Sequence, residues 1–243
     1  MKPDDFSTKK WKGPAYRIIP TQYPPLALFD DVCNSEEFDA LYRVVALTNP
    51  RLNTSLGALD QIPPQERCYG PGSGWVMGAF AHINPNGSRF SNGLYGVFYA
   101  GQFPEVAIHE TIFHLGVFYR ESGISEPRSQ SMRTLKATIR AELVNLLDCP
   151  ITHPLLAADD YTHSQEFGMK IKQAALNGII YPSVRHPDHL PCAAVFRPRA
   201  ITACDSHTLL RYHWDGERFS CVYAERTIWC ETDNGEDYRR TAK

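Results

Sequence analysis

No apolar run in the 243-residue sequence approaches the length that spans a bilayer, and the opening stretch MKPDDFSTKKWKGP lacks the apolar core of a secretory leader. A formal net charge of −2 supplies no electrostatic reason for direct nucleic-acid binding or for attachment to an anionic membrane. The seven cysteines are odd in number and contain no CxxC pair, which excludes a legible disulfide framework or zinc knuckle. Free thiols in a reducing compartment are expected, so the cytoplasm is the predicted location and the sequons at Asn53 and Asn86 carry no meaning. Gly70, Gly72, Gly74 and Gly78 are interrupted by Pro71 and do not make a dinucleotide fingerprint. His109-Glu110 with His114 is HExxxH, which on a helix sets the two imidazoles about 140° apart, unable to share a zinc ion. His186, His189 and Cys192 are ligand types, but Pro187 and Pro191 make their segment a loop and no metal site is expected there.

What remains is an ordinary globular composition, 43% hydrophobic and 21% charged. The length suits one large domain or a domain with an extension. Residues 1–65 read as an N-terminal extension packed on the main domain: polar and Lys-rich at first, broken by Pro20, Pro24 and Pro25, then partly helical over 26–50. Asp30 or Asp31 is the expected cap there, and Phe38, Leu41, Tyr42 and Val45 follow helical spacing. Arg51–Gln65 predicts a loop or short helix. The main unit, 66–243, is expected to open with a core strand over Trp75–Ile83. Further on, Glu121–Ser131 reads as a polar connector, Leu135–Leu147 as a strand, and Thr162–Leu176 as a helix capped by Thr162 or Ser164 and ended by Asn177-Gly178. Ile179–Tyr181 and Ala193–Phe196 read as strands, and alternation across an Asp215-Gly216 turn predicts a hairpin over Ile201–Trp229.

The rest of the chain is organised around Gly87–Glu110, GSRFSNGLYGVFYAGQFPEVAIHE. Two polar turns precede a short aromatic strand, Leu94–Ala100, and Pro104 then opens a helix with Glu105 at the positive end of its dipole. Glu110 falls at the centre of a face carrying Val106, Ala107, Phe113 and Val117, while Ile108, Ile112 and Leu115 make the opposite face apolar too. The helix is therefore expected to be buried on most sides, where a carboxylate is costly unless it is paired or lines a cavity.

Arg89 in an R-F-S/N-type turn, Tyr99, and Glu110 on the following helix, together with the downstream segment Asn177-Gly-Ile-Ile-Tyr-Pro-Ser183-Val-Arg185 and Ala193–Pro198, resemble the RES domain family over roughly residues 68 to 200. The resemblance implies an α+β fold: a bent, split mixed β core with flanking helices, similar to diphtheria-toxin-like ADP-ribosyltransferases. It also implies NAD as substrate, with cleavage of the nicotinamide–ribose bond and water or phosphate as acceptor. Members of the family are growth-inhibiting toxins restrained by a helix-turn-helix antitoxin. Homo-oligomer formation stays open, and no metal is implied, because the leaving pyridinium is already cationic.

The residue types suit that chemistry. Arg89, ordinarily a surface guanidinium, can capture a phosphate or carboxylate through its fork. Tyr99 is either a core aromatic with a bonded hydroxyl or a ring packed on a flat heterocycle. Glu110, otherwise one half of a buried ion pair, can steady the sugar cation formed when a glycosidic bond breaks, or orient the acceptor. Ser183 is a common turn residue, surrounded by no GxSxG elbow; the resemblance makes it a hydroxyl that bonds the ligand. Arg185 either adds a phosphate contact or is merely solvated. The same residues leave open transfer of ADP-ribose to a protein, and a non-catalytic ligand-binding module.

Overall fold

The computed structural model describes residues 1–48 and 56–226, and those residues place nine strands in one mixed sheet. The strands are β1 (Thr8–Lys10), β2 (Pro14–Pro20), β3 (Phe98–Gly101), β4 (Arg128–Ile139), β5 (Glu142–Asn145), β6 (Gly178–Pro182), β7 (Pro191–Val195), β8 (Ile201–Trp214) and β9 (Phe219–Glu225). Their order is β1-β5-β6-β7-β3-β2-β4-β8-β9, antiparallel throughout except for β5 beside β6. The helices are α1 (Ala27–Asp30), α2 (Ser35–Thr48), α3 (Ser73–Ala81), α4 (Pro104–Glu121) and α5 (Thr162–Gln173). This is the α+β class, with a core that is nearly split. β2 and β4 pair over seven residues, whereas β2 and β3 share only Tyr16 opposite Gly101. Across that junction Arg17 donates from Nη1 to the Tyr99 carbonyl at 3.2 Å and lies 5.1 Å from the Phe98 ring centroid. Burial lowers the Arg17 pKa from the usual guanidinium value.

The first 65 residues enter the sheet itself: β2 runs between β3 and β4, and β1 forms an edge beside β5. Nothing local in Ala15-Tyr16-Arg17-Ile18-Ile19 announces a central position. Ahead of α2 the caps are Asn34 and Glu37, not Asp30 or Asp31. Asn34 Oδ1 accepts the Glu37 N–H at 2.9 Å and Glu37 Oε2 accepts the Cys33 N–H at 2.8 Å. Asp30 instead accepts the Gly74 N–H at 2.7 Å. The strand expected over Trp75–Ile83 is helix α3. Its apolar run is buried almost all round, so it has no alternation to separate the two forms. A Cβ on Gly74 would meet the Leu26 carbonyl oxygen at 2.6 Å, so α3 sits directly against the start of α1. Of Arg51–Gln65, residues 51–55 lie outside the described residues, and Leu59–Gln61 and Pro64–Glu66 are single 3₁₀ turns.

Three further expectations shift. The aromatic strand is confined to Phe98–Gly101, because Gly96 presses on the Phe80 backbone and holds the chain ahead of it irregular. The strand expected over Leu135–Leu147 is two, β4 and β5, lying in different halves of the sheet, and β4 already begins within the expected connector. Helix α5 is present, but Asp160 caps it by accepting the Thr162 N–H at 2.9 Å, and the left-handed residue at its end is Ala175 (φ 53°), ahead of Asn177-Gly178. Its inner face, Phe167 and Ile171, packs with Phe90, Ile179 and Tyr181, each such burial contributing about 1.5–3 kcal/mol. The β8–β9 hairpin turns at Asp215, whose Oδ1 accepts the N–H groups of Glu217 and Arg218. Residues 227–229 of the expected hairpin lie outside the described residues.

Helix α4 starts at Pro104 as its sequence requires, with Arg120 in the last turn to suit the dipole. It is not buried on most sides. Val106, Ala107, Gly116 and Tyr119 are buried, Ile108, Ile112, Phe113 and Leu115 are half-buried, and His109, His114 and Phe118 are exposed.

Candidate active site

A short turn carries the first arginine. Ser88 and Ser91 exchange backbone hydrogen bonds of 2.7 and 3.3 Å, closing the loop around Arg89 and Phe90. From β3, the Tyr99 hydroxyl accepts the Phe90 N–H at 2.9 Å and shares a 2.8 Å bond with Ser88 Oγ, while Tyr95 donates to the Phe90 carbonyl at 2.8 Å. Burial pushes the Tyr99 phenol up to about 12, against the pull of its bonds to Ser88 and Phe90 and of the Arg89 charge. The phenol therefore stays protonated and braces the turn. Helix α5 braces it from the other side: Gln165 donates to the Ser88 carbonyl at 3.1 Å, and Gly168 leaves room for Phe90, whose carbonyl oxygen would lie 2.0 Å from a Cβ there. So held, Arg89 is buried (6% exposed), donates to the Ala157 carbonyl at 2.8 Å, and lies over the Tyr161 ring at 4.7 Å.

The second part lies where β6 ends. Ser183 follows Pro182 directly and is fully buried; its N–H donates to the Leu190 carbonyl at 2.9 Å, so the loop between β6 and β7 folds back over it. Its hydroxyl donates to Glu110 Oε1 at 2.6 Å and accepts the N–H groups of Arg185 (3.2 Å) and His186 (3.0 Å). The hydroxyl thus has one orientation, with its proton on the carboxylate side. The other carboxylate oxygen of Glu110 lies 3.8 Å from His114 Nε2, one helical turn on. Partial burial lowers the His114 pKa; Glu110 opposes this, and Arg185 and Arg89 reinforce it. The Glu110 side chain is 21% exposed and is not locked to an arginine or lysine. Its closest partner is a neutral hydroxyl, which orients the carboxylate.

Arg185 stacks on Phe113, with Cζ 3.3 Å from the ring centroid, and its Nη2 bonds the Ala158 carbonyl and Asp159 Oδ1. Both arginines therefore anchor on neighbouring carbonyls of one loop, Ala157 and Ala158. Behind them, burial raises the Tyr181 phenol and the Cys192 thiol well above their ordinary values, and both lie within the electrostatic reach of Glu110 and Arg89. All five residues singled out in the sequence (Arg89, Tyr99, Glu110, Ser183 and Arg185) thus converge. Sequence reasoning missed Tyr161, which it assigned no role, and His114, met only as half of a failed zinc motif. The i, i+4 spacing from Glu110 was the available signal for His114. His109 turns away and packs edge-on against His186 at 4.9 Å. Among the described residues no group of three or more His, Cys, Asp or Glu side chains could hold a metal ion.

Two guanidiniums beside a carboxylate that a hydroxyl holds in place can bind an anionic ligand and still present negative charge to a positive centre. The family model described as RES domain matches residues 64–215. The uncharacterized protein y4oC of Sinorhizobium fredii is 26% identical over 222 residues, 88% of each chain. A chain in the crystal structure of the M. tuberculosis MbcT–MbcA toxin–antitoxin complex aligns with a TM-score of 0.45 and 10% identity, over 84% of this chain and 89% of that one.

Proposed function

Because the chain belongs to the RES domain family, we propose that it consumes NAD by cleaving the nicotinamide–ribose bond, with water or phosphate as acceptor, and that it acts as a growth-inhibiting toxin. In the proposed reaction the C1′–N bond breaks heterolytically and its electron pair leaves with nicotinamide, which becomes neutral. The ribose is left as an oxocarbenium-like cation. Glu110 faces that cation; the acceptor oxygen then bonds to C1′, the proton of an attacking water passing to bulk water, whereas phosphate attacks through an oxygen already negatively charged. Arg89 holds a phosphate or the ribose side, Tyr99 keeps the turn that presents Arg89, and Ser183 sets the carboxylate; with its proton directed at Glu110 and both lone pairs taken by N–H groups, its hydroxyl does not make the ligand bond that the family resemblance implied. A fixed charge of this kind contributes most when it is oriented before the reaction, as here. The observation that carries the reading is the 2.6 Å bond from Ser183 to Glu110: it fixes the carboxylate without neutralising it.

The family resemblance extends the proposal to a helix-turn-helix antitoxin as partner. The test of the chemistry is incubation of the purified protein with NAD alone and mass spectrometry of the products. Free nicotinamide with ADP-ribose, or with its 1-phosphate when phosphate is added, supports cleavage. An unchanged NAD pool that falls only when a protein acceptor is supplied would assign ADP-ribosyl transfer instead. No loss of NAD under either condition would leave a binding module and end the enzymatic reading.

A further inference from the structure

Beside the Phe113 ring a groove runs along α4. This groove of about 280 Å³ is lined by His109, Phe113, Arg120, Arg185, Arg218 and Phe219, with Ile112 and Gly116 at its base. Three of its lining side chains are guanidiniums and none is acidic. Gly116 creates part of the space: with no side chain there, the Arg120 guanidinium lies back along the helix, 3.2 Å from where a Cβ would stand. Arg120 is steadied by a 3.3 Å bond to the Glu217 carbonyl, which ties α4 to the β8–β9 turn. From the same turn Arg218 reaches over with only a loose 3.7 Å approach to Asp215. Arg185 forms the wall shared with the reaction centre, and its Nε is buried with no acceptor. A buried donor left without a partner is a costly feature, and a ligand oxygen would relieve it.

We propose that this groove binds the pyrophosphate of the dinucleotide. The inference rests on the reading of NAD as substrate and extends it. A groove of about 280 Å³ falls just below the usual range of small-molecule sites, roughly 300–1,000 Å³, so it cannot enclose a whole dinucleotide. It does suit a compact group with several acceptor oxygens, which guanidinium forks recognise with charge-assisted bonds. Arg185 lines the groove while its backbone N–H bonds the Ser183 hydroxyl that holds Glu110, so a substrate whose ribose lies at Glu110 reaches the groove across that residue. Arg120 and Arg218 then hold the phosphates from the far side, away from the bond that breaks.

The test uses the full chain with ADP as a pyrophosphate-bearing probe, measured by calorimetry, beside NAD kinetics. In R120Q/R218Q the ADP affinity is expected to fall about tenfold or more, and the loss for NAD to appear in KM and not in kcat. R120K/R218K should recover most of it, because charge and not packing is at stake. Should ADP bind the wild type and R120Q/R218Q equally, or not at all, the groove assignment is overturned, even if NAD is cleaved. If ADP binds in an arginine-dependent way while NAD is left intact, the groove stands as a diphosphate site and the reaction assignment is what fails. A KM unaffected by the double substitution likewise overturns the proposal and leaves the groove to an acidic surface of a partner protein.

Discussion

Removing the Ser183 hydroxyl separates the role of this residue from that of the carboxylate it orients. In Ser183→Ala, Glu110 Oε1 loses a 2.6 Å donor and two buried N–H groups, from Arg185 and His186, lose their acceptor. A hydrogen bond to a charged group contributes about 1.5–3 kcal/mol, and each stranded buried polar group costs about 1–3 kcal/mol. Water entering beside the half-buried Arg185 satisfies part of this, so we expect a net destabilisation of about 3 kcal/mol. At about 2–4 °C per kcal/mol for a chain of this size, the melting temperature should drop by roughly 6–12 °C. Glu110→Gln is the counterpart. The amide oxygen still accepts from Ser183 while the charge is gone, so stability should stay within about 1 kcal/mol of wild type. NAD cleavage should nevertheless fall about 100- to 1,000-fold, the usual consequence of deleting one preorganised electrostatic contact. Differential scanning calorimetry and a nicotinamide-release assay read the two effects separately. A Glu110→Gln protein that keeps a tenth or more of the wild-type rate would refute the catalytic assignment. A Ser183→Ala protein melting within about 2 °C of wild type would refute the hydrogen-bond accounting.

Three other outcomes follow from the same contacts. Tyr99→Phe leaves the Phe90 N–H without its acceptor, so stability should fall by about 1–3 kcal/mol and activity should fall with it as the Arg89 turn loosens; urea denaturation beside the release assay checks both. Gly168→Ala should also destabilise, by about 1–3 kcal/mol through overpacking, despite the better helix propensity of alanine, because its methyl would lie 2.0 Å from the Phe90 carbonyl oxygen. Unchanged calorimetry for Gly168→Ala would show that α5 can retreat freely from the turn. His114, facing Glu110, Arg185 and Arg89, is held below its ordinary pKa of about 6.5, so the unfolded chain takes up its proton first. Its contribution is therefore complete above about pH 6.5 and is lost as the pH falls through the folded value. Stability measured at pH 7.5 and 5.5 should show a decline that His114→Asn reduces.

The grouping of the candidate residues was legible in part. Arg89, Glu110 and Ser183 are marked by residue type and by their order along the chain, which need no knowledge of the topology. Tyr99 is the mixed case. Its position was legible, but not the fact that its hydroxyl braces the Arg89 turn, since Ser88 and Phe90 reach it only after the chain doubles back. Tyr161 and the Ala157–Asp159 carbonyls were illegible because they meet the arginines across loops with no pattern of their own. In the fold, α3 and β2 show the limit most clearly. The α3 run is apolar on every side, so periodicity carries no vote, and tertiary burial decides. The central place of β2 depends on partners 80 and more residues away, and seven residues of which only Ala15 and Ile18 are buried cannot name them.

The position of Glu110 follows from the split in the sheet. Helix α4 leaves β3 directly at the junction and lies over both halves. Val106 joins the core that includes Phe90, Phe167 and Tyr181, while the next residue, Ala107, joins the core of Ile18, Met132 and Trp214. The face read around Glu110 thus divides between the two cores, while Ile108, Ile112 and Leu115 of the opposite face pack on the second of them. One turn after that division, Glu110 sits over the seam, where neither core claims it and the loop after β6 supplies Ser183. A carboxylate at the middle of an apolar helix is costly when one core encloses the helix. Between two cores it has a polar seam to occupy, where the Ser183 hydroxyl holds it and the Arg185 backbone bonds that same hydroxyl.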